Sequence, residues 1–401
     1  MDTTICGAQH FRQAGRSELK TALADSRQTM MERFKAYHQA LGDGLLVPYS
    51  LELNTPLWEI GHIGWFEEFW LARNPQRLLG NVADPEAARP ESWLPGADSF
   101  YHSGQVAHNR RWALPLPDAA GTLAYLAAVR TQTLDLLDAS GEGDDDLYFF
   151  KLAIVHEDMH SEAWVYMAQN LSIPLGLQAQ PNLPANSELT VTGGEWQLGA
   201  SEPGFAFDNE LPAHVVHVAP FAIDSQAVSW RRYLPFVEAG GYDDARYWSK
   251  TGWAWRQIHG QPHPRYLRKA GAGWQQQYFG QWQDLVADQT AIHLTYFEAE
   301  AWCRWAGRRL PSEAEWEMAA LTQPDKFAWG QVWEWTASAF SPFVGFVAHP
   351  YRDYSRAWFD GRPVLRGASH ATSPRMRHPR YRNYFTPERN DIFAGFRTCA
   401  R

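Results

Sequence analysis

What most constrains the fold of this 401-residue chain is a change of pattern near residue 172. Before it, apolar residues recur at helical spacing; after it come short alternating runs broken by Gly and Pro. The first part can bury its apolar stripes only by packing helix on helix, the second only by folding strands and turns around a core. Four segments carry the helical pattern: 17–42, 54–73, 118–139 and 144–171. Asn54 or Thr55 caps the second, with Pro56 in its first turn, and Asp118 opens the third. They predict an antiparallel four-helix bundle with one long connection over 74–117. SIPLGLQAQPNLPANSEL (172–189) reads as a proline-spotted linker, so a helical domain over 1–175 and an irregular α+β domain over 186–401 are expected. In the latter, AHVVHVAPFAI reads as strand, and LPSEAEWEMAA as a helix with Ser312 and Glu315 in a capping box. No internal repeat is visible.

Either half has the length to bury its own core. A net charge of −9 argues against a nucleic-acid surface. No apolar run approaches the roughly 18 residues needed to span a bilayer. The start, MDTTICGAQHFRQAGR, lacks the apolar core of a signal peptide and reads as a short ragged segment. Cys6, Cys303 and Cys399 are too few and too scattered for a disulfide framework or a Cys-rich metal site, and they suit a reducing cytoplasm. No obligate protein partner is evident. Most of the 20 tryptophans are expected in the core, with a few lining a pocket for a flat or quaternary-ammonium ligand.

The fourth helical segment contains HEDMH, which matches the H-E-x-x-H zinc-peptidase pattern at His156, Glu157 and His160. Residues four apart on a helix share one face, here with Leu152, Ala163 and Met167, so the two imidazoles point into the bundle. Buried imidazoles need partners. They are either core histidines bonded to carbonyls or carboxylates, or metal ligands. His62, in line with Trp58, Trp65 and Phe69 on the second helix, also faces inward. Three histidines converging from two helices are better explained as a metal triad with open positions than as three core residues. The peptidase reading fits badly, because residues 161–187 offer only the adjacent Glu162 as a third ligand. Glu157 is then expected to be a polar residue of the bundle.

With LWEIGHIGWFEEFW, VAHNRRWALPLP and HEDMHSEAW, the first half resembles the DinB-like bundle of the ergothioneine-type sulfoxide synthases. The second half resembles their formylglycine-generating-enzyme-like, C-type-lectin-like domain, through GGEWQLGA, FAFDNELPAHVVHVAPFAID, GRRLPSEAEWEMAA, VWEWT, VLRGASHAT and YRNYFTPERNDIFAGFR. The resemblance covers nearly the whole chain. It implies a mononuclear non-haem Fe(II) oxidoreductase that uses O2 to join a chalcogen donor to the imidazole of hercynine, the trimethyl betaine of histidine. By position, His62, His156 and His160 match the iron ligands. A formylglycine-generating enzyme proper would need a cysteine pair, and Cys303 and Cys399 lie far apart in sequence.

The resemblance also implies roles further along the chain. In PYRDYS, Tyr351 matches the catalytic tyrosine, whose phenol gives a proton and steers oxidation to bond formation instead of thiol dioxygenation. Tyr354, Asn383 and Tyr384 match hercynine contacts, and Phe385, Arg389, His108, Arg111 and Met159 complete the substrate-binding set that the resemblance implies. Without the motif, any one of the 16 tyrosines would be read as core packing. Several positions depart from the relatives that take γ-glutamylcysteine. Phe385 stands where those carry an aspartate for the donor ammonium. In HNRR, Arg111 is kept but His108 replaces a second arginine. Met159 stands where glutamine is common, and the segment between EWEMAA and VWEWT is short. These changes leave His108, Asn109, Arg111 and an aromatic wall, as suits a neutral sugar. The pattern looks most like the selenoneine synthase branch, which couples hercynine to a 1-selenosugar. The alternatives are an ergothioneine-type synthase using cysteine or γ-glutamylcysteine, and a non-catalytic DinB-like binding protein. Loss of Tyr351 or of any of the three histidines would have favoured the last, and all four are present.

Overall fold

The computed structural model describes residues 3–177 and 180–401, with side chains from residue 7 onward. Among the described residues, six α-helices fill the first half: α1 (Thr3–Arg12), α2 (Arg16–Leu41), α3 (Pro56–Trp70), α4 (Ala97–Tyr101), α5 (Ala119–Asp138) and α6 (Asp144–Leu171). The four long ones form the bundle, each packing on two others in the ring α2, α6, α3, α5. Their starts are set by side chains. Thr55 accepts from the Trp58 N–H, with Pro56 at the first helical position, and Asp118 accepts from the Gly121 N–H. The start of the chain departs from its expected ragged form. It contains α1, which ten residues could not hold alone in water. Ala8 and Phe11 are buried, and Arg12 forms a two-pronged ion pair with buried Glu210 at 2.8 and 3.0 Å.

α3 is buried on nearly every side because α5, α6 and the long connection all cover it. It nevertheless carries Glu59, Glu67 and Glu68, so each carboxylate needs a partner. Glu68 accepts from Ser92, the Trp93 N–H and Tyr125. Glu67 and Glu157 share Arg27 of α2 and Arg130 of α5, in four contacts of 2.7–2.8 Å. Glu157 therefore faces α2 and α5 as a polar member of the bundle core.

The second half has eleven short strands: β1 (Glu188–Val191), β2 (Gly194–Leu198), β3 (His214–Val218), β4 (Phe221–Asp224), β5 (Leu267–Ala270), β6 (Gly273–Tyr278), β7 (Gln281–Asp284), β8 (Trp333–Ala339), β9 (Pro363–Gly367), β10 (Asn383–Tyr384) and β11 (Ala394–Gly395). Four helices accompany them: α7 (Trp230–Glu238), α8 (Lys250–His259), α9 (Tyr296–Trp305) and α10 (Glu313–Thr322). The central sheet has the order β10-β9-β8-β11, antiparallel except for β11 beside β8. The Ser312–Glu315 box caps α10 as its sequence predicts, and a second box, Thr295–Glu298, caps α9. So little regular structure needs internal ties, and three buried arginines supply them: Arg366 to Glu317, Arg382 to Glu313, and Arg397 to Glu334. The largest apolar core runs unbroken from the bundle into this half.

Glu157→Ala should lower unfolding stability by about 3 kcal/mol, because it leaves two part-buried guanidiniums with Glu67 as their one carboxylate. Urea denaturation reads that loss. Metal content should stay at the wild-type level; depleted metal with unchanged stability would return Glu157 to the metal site.

Candidate metal centre and substrate cavity

α3 and α6 bring three histidines to one point. His156 and His160 project from one face of α6, and His62 reaches them from α3. One nitrogen from each lies within 4.8 Å of the other two, the one such group of three ligand-type side chains among the described residues. The Nε2 atoms of His156 and His160 are 3.2 Å apart.

The outer nitrogens determine what the inner ones offer. His62 Nδ1 lies 2.8 Å from the Tyr101 carbonyl, and His160 Nδ1 lies 2.5 Å from Glu59 Oε2. A carbonyl or a carboxylate can only accept, so both Nδ1 atoms carry hydrogen and both Nε2 atoms are turned inward. His156 is held by the Phe66 ring, stacked at 3.5 Å, and its Nδ1 finds no hydrogen-bond partner among the described residues. Burial, and then repulsion from His160, hold His62 down at about 3. Burial and the other two histidines hold His156 well below its ordinary value. Both are therefore neutral near pH 7, the form that ligates. Burial alone would raise the Glu59 carboxyl, but attraction to His160 and hydrogen bonds from His160 and Asn54 hold it at about 2. Three converging imidazoles, two of them oriented through their outer nitrogens, fit a divalent transition metal.

Beside the triad, between the two halves, lies a cavity of about 820 Å³. His156 and His160 line it, while His62 sits behind them. Tyr351 lines it with its ring 4.8 Å from Phe66 and 6.0 Å from His156, and burial raises its phenol above the ordinary range. Tyr354 stacks on Phe207 at 4.4 Å and donates to the Tyr381 hydroxyl at 3.0 Å. That hydroxyl lies 3.6 Å from the sulfur of Met159, another lining residue. Tyr384 stacks on Phe340 at 4.0 Å, and its N–H bonds the Asn383 side chain at 2.9 Å.

Arg111 and His108 line the opposite wall, contributed by the long connection. The Arg111 guanidinium lies 3.6 Å over the Trp58 ring and donates to Asn54 at 2.8 Å, and His108 Nε2 bonds the Leu53 carbonyl at 2.8 Å. Asn109, between them, is exposed and does not line the cavity. Phe385 does line it, but Arg389 stands behind: its fork closes on Asp391 at 2.5 and 2.7 Å, and its charge sits 5.0 Å over the Phe385 ring.

Two acidic residues have roles that spacing alone did not assign. Glu59 orients His160; its one sequence signal is a carboxylate three residues before His62 in an otherwise apolar run. Glu162 accepts from Trp333 at 2.8 Å, Ser369 at 2.5 Å and Thr372 at 2.8 Å, tying α6 to the second half. With its oxygens so engaged it is no third zinc ligand, which removes what support the peptidase pattern had.

A histidine-bearing bundle closed over its cavity by a small-sheet α+β half defines a two-domain class, and comparison with known families agrees. Residues 16–168 match the DinB superfamily, and residues 176–331 and 326–401 match the sulfatase-modifying factor enzyme 1-like domain. Hercynine oxygenase of Mycolicibacterium smegmatis is 34% identical over 87% of this chain and 91% of its own. That of Mycobacterium tuberculosis is 35% identical over 88% and 92%. A formylglycine-generating enzyme of Thermomonospora curvata is 33% identical over only 37% of this chain and 54% of its own. The chain belongs to the hercynine oxygenase family.

His62→Ala should abolish tight metal binding, and Glu59→Gln should weaken it by about 10- to 100-fold by loosening His160. Metal titration of the apoprotein checks both. Full occupancy in His62→Ala would refute the three-histidine assignment.

Proposed function

We propose that this protein is a mononuclear iron(II) enzyme that joins a chalcogen donor to hercynine, with a 1-selenosugar as preferred donor. Overall, the imidazole C–H, the donor Se–H and O2 become a C–Se(O) product and one water, with O2 taking four electrons. The selenoxide then sheds its sugar to leave a selenenic acid, which two equivalents of a thiol reduce to selenoneine with release of a disulfide and water. The observation that carries this reading is the three-histidine group opening onto a cavity that Tyr351 also lines. Bound there, iron(II) would supply one-electron chemistry and open positions for O2 and a chalcogenolate.

The chain's own residues do the rest. Tyr351, half-buried and with its phenol raised, holds a proton at its hydroxyl for transfer as oxygen is reduced. A trimethylammonium group has no N–H to donate, so it is held by aromatic faces, here Tyr354 and Tyr384, with Asn383 for the polar end of the betaine. Donor choice rests on charge. An amino-acid thiol brings an ammonium that needs an acidic partner when it leaves water. The wall at Phe385 is an aromatic face with no free carboxylate to pair that group, because Asp391 behind it is taken by Arg389. A selenosugar brings hydroxyls and a readily ionised selenol. An amino-acid donor is favoured by one feature, the Asp353 carboxylate lining the same cavity.

Iron-loaded protein given hercynine and O2 with selenoglucose, thioglucose, cysteine or γ-glutamylcysteine should use selenoglucose fastest, thioglucose more slowly, and the amino-acid thiols hardly at all. Product masses and rates read the order. Faster turnover of cysteine or γ-glutamylcysteine would replace this reading with ergothioneine-type chemistry. Phe385→Asp should weaken sugar use and admit some amino-acid thiol. In calorimetry, histidine should bind at least about tenfold more weakly than hercynine, for want of the cation–aromatic contact. Equal affinities would rule out this pocket.

A further inference from the structure

The segment 349–355, which carries Tyr351 and Tyr354, has little regular structure beyond a short turn over Arg352–Tyr354. One carboxylate from elsewhere in the chain grips it on both sides. Asp208, 2% exposed, accepts the Ser355 hydroxyl with Oδ1 and the His349 backbone N–H with Oδ2, the latter at 3.3 Å. The His349 ring in turn stands 3.1 Å, Nδ1 to hydroxyl, from Tyr148. Tyr148 belongs to α6, the helix that carries His156 and His160. Phe207, next to Asp208, is the ring on which Tyr354 stacks.

Among the described residues no cationic side chain makes an ion pair with Asp208. Burial pushes its carboxyl up to about 6, although Ser355 and the His349 and Asn209 N–H groups pull it down. A buried carboxylate without an ion partner is a net cost to stability. What it provides here is two acceptors at fixed positions, one on each flank of the tyrosine turn.

We propose that Asp208 is a positioning residue that sets where Tyr351 and Tyr354 stand relative to the three histidines. The proposal rests on the reading of Tyr351 as proton donor. A misplaced phenol would let thiol dioxygenation (thiol plus O2 giving a sulfinic acid) compete with coupling to hercynine. Asp208→Asn keeps the shape but turns an N–H group toward one of two donors. Ser355→Ala removes one grip, and Ser355→Thr retains the hydroxyl.

The test uses full-length, iron-loaded protein with hercynine and thioglucose, and measures the ratio of coupled product to sulfinate, the KM for hercynine and the melting temperature. Asp208→Asn and Ser355→Ala should shift the ratio toward sulfinate by about tenfold, short of the roughly hundredfold that a displacement of about 1 Å can cost. The KM should change less than the ratio, and Ser355→Thr should restore the wild-type ratio. A folded Asp208→Asn with the wild-type ratio overturns the proposal, as does a wild-type ratio in Ser355→Ala should Asp208→Asn fail to fold. Tyr351→Phe separates the two readings. If it shifts the ratio while the clamp variants do not, Asp208 alone is misassigned. If it too leaves the ratio unchanged, the tyrosine reading falls and the proposal with it.

Discussion

Taking three imidazoles out of water costs free energy unless their outer N–H groups find acceptors, and meeting that demand organises the bundle around the site. His160 is served by Glu59 on the neighbouring helix, a carboxylate that Asn54 also bonds. His62 is served by the Tyr101 carbonyl, so the long connection must press closely onto α3. It does so where α3 carries Gly61: a Cβ there would lie 2.3 Å from the Tyr101 ring, nearer than any real contact. In His62 and His160 the Nε2 atoms then face inward because Nδ1 is already committed, while His156 is held by the Phe66 ring instead. The contacts that orient the three imidazoles are thus the ones that pack the bundle.

The second half does more than close the cavity. Its main core is continuous with that of the bundle, and Glu162, two residues beyond His160, binds it through Trp333, Ser369 and Thr372. Trp333 lies on β8 and itself lines the cavity, so the wall facing the triad is aligned by the helix that bears two of its histidines. Relative motion of the halves would break apolar packing and buried hydrogen bonds together. The fold spends its polar burial on alignment: Glu162 and Asp208 are both carboxylates whose pKa burial raises, and both bridge segments distant in sequence.

Charge around the cavity is graded. Arg111 offers a cation on the wall from the long connection, stacked on Trp58, while Asp353 brings an acid among the tyrosines. Near Phe385 the charge of Arg389 is matched by Asp391, and an aromatic face is what the cavity meets. Tyr384, Tyr354 and Tyr381 extend that face along the α+β side. A cationic group would thus meet different charge at different walls.

The division into bundle and α+β half, the four long helices and the inward face shared by His156 and His160 were legible in the sequence. Periodicity and caps such as Thr55, Asp118 and Ser312 are local, acting within a turn or two. The resemblance to a known family, read from motifs spread along the chain, further singled out Tyr351, Tyr354, Asn383, Tyr384 and Phe385, which do line one cavity. α1 was not legible, because its order comes from Arg12 meeting Glu210 across 198 residues of sequence. Neither were the service of Glu59 to His160, the bridge made by Glu162, nor the retreat of Arg389 behind Phe385. A carboxylate in a helix carries no mark of which distant group it will meet. Hydrophobic period dictates which face is buried, but hydrogen-bond partners are chosen only when separate elements come within about 3 Å of one another. That choice belongs to the tertiary structure.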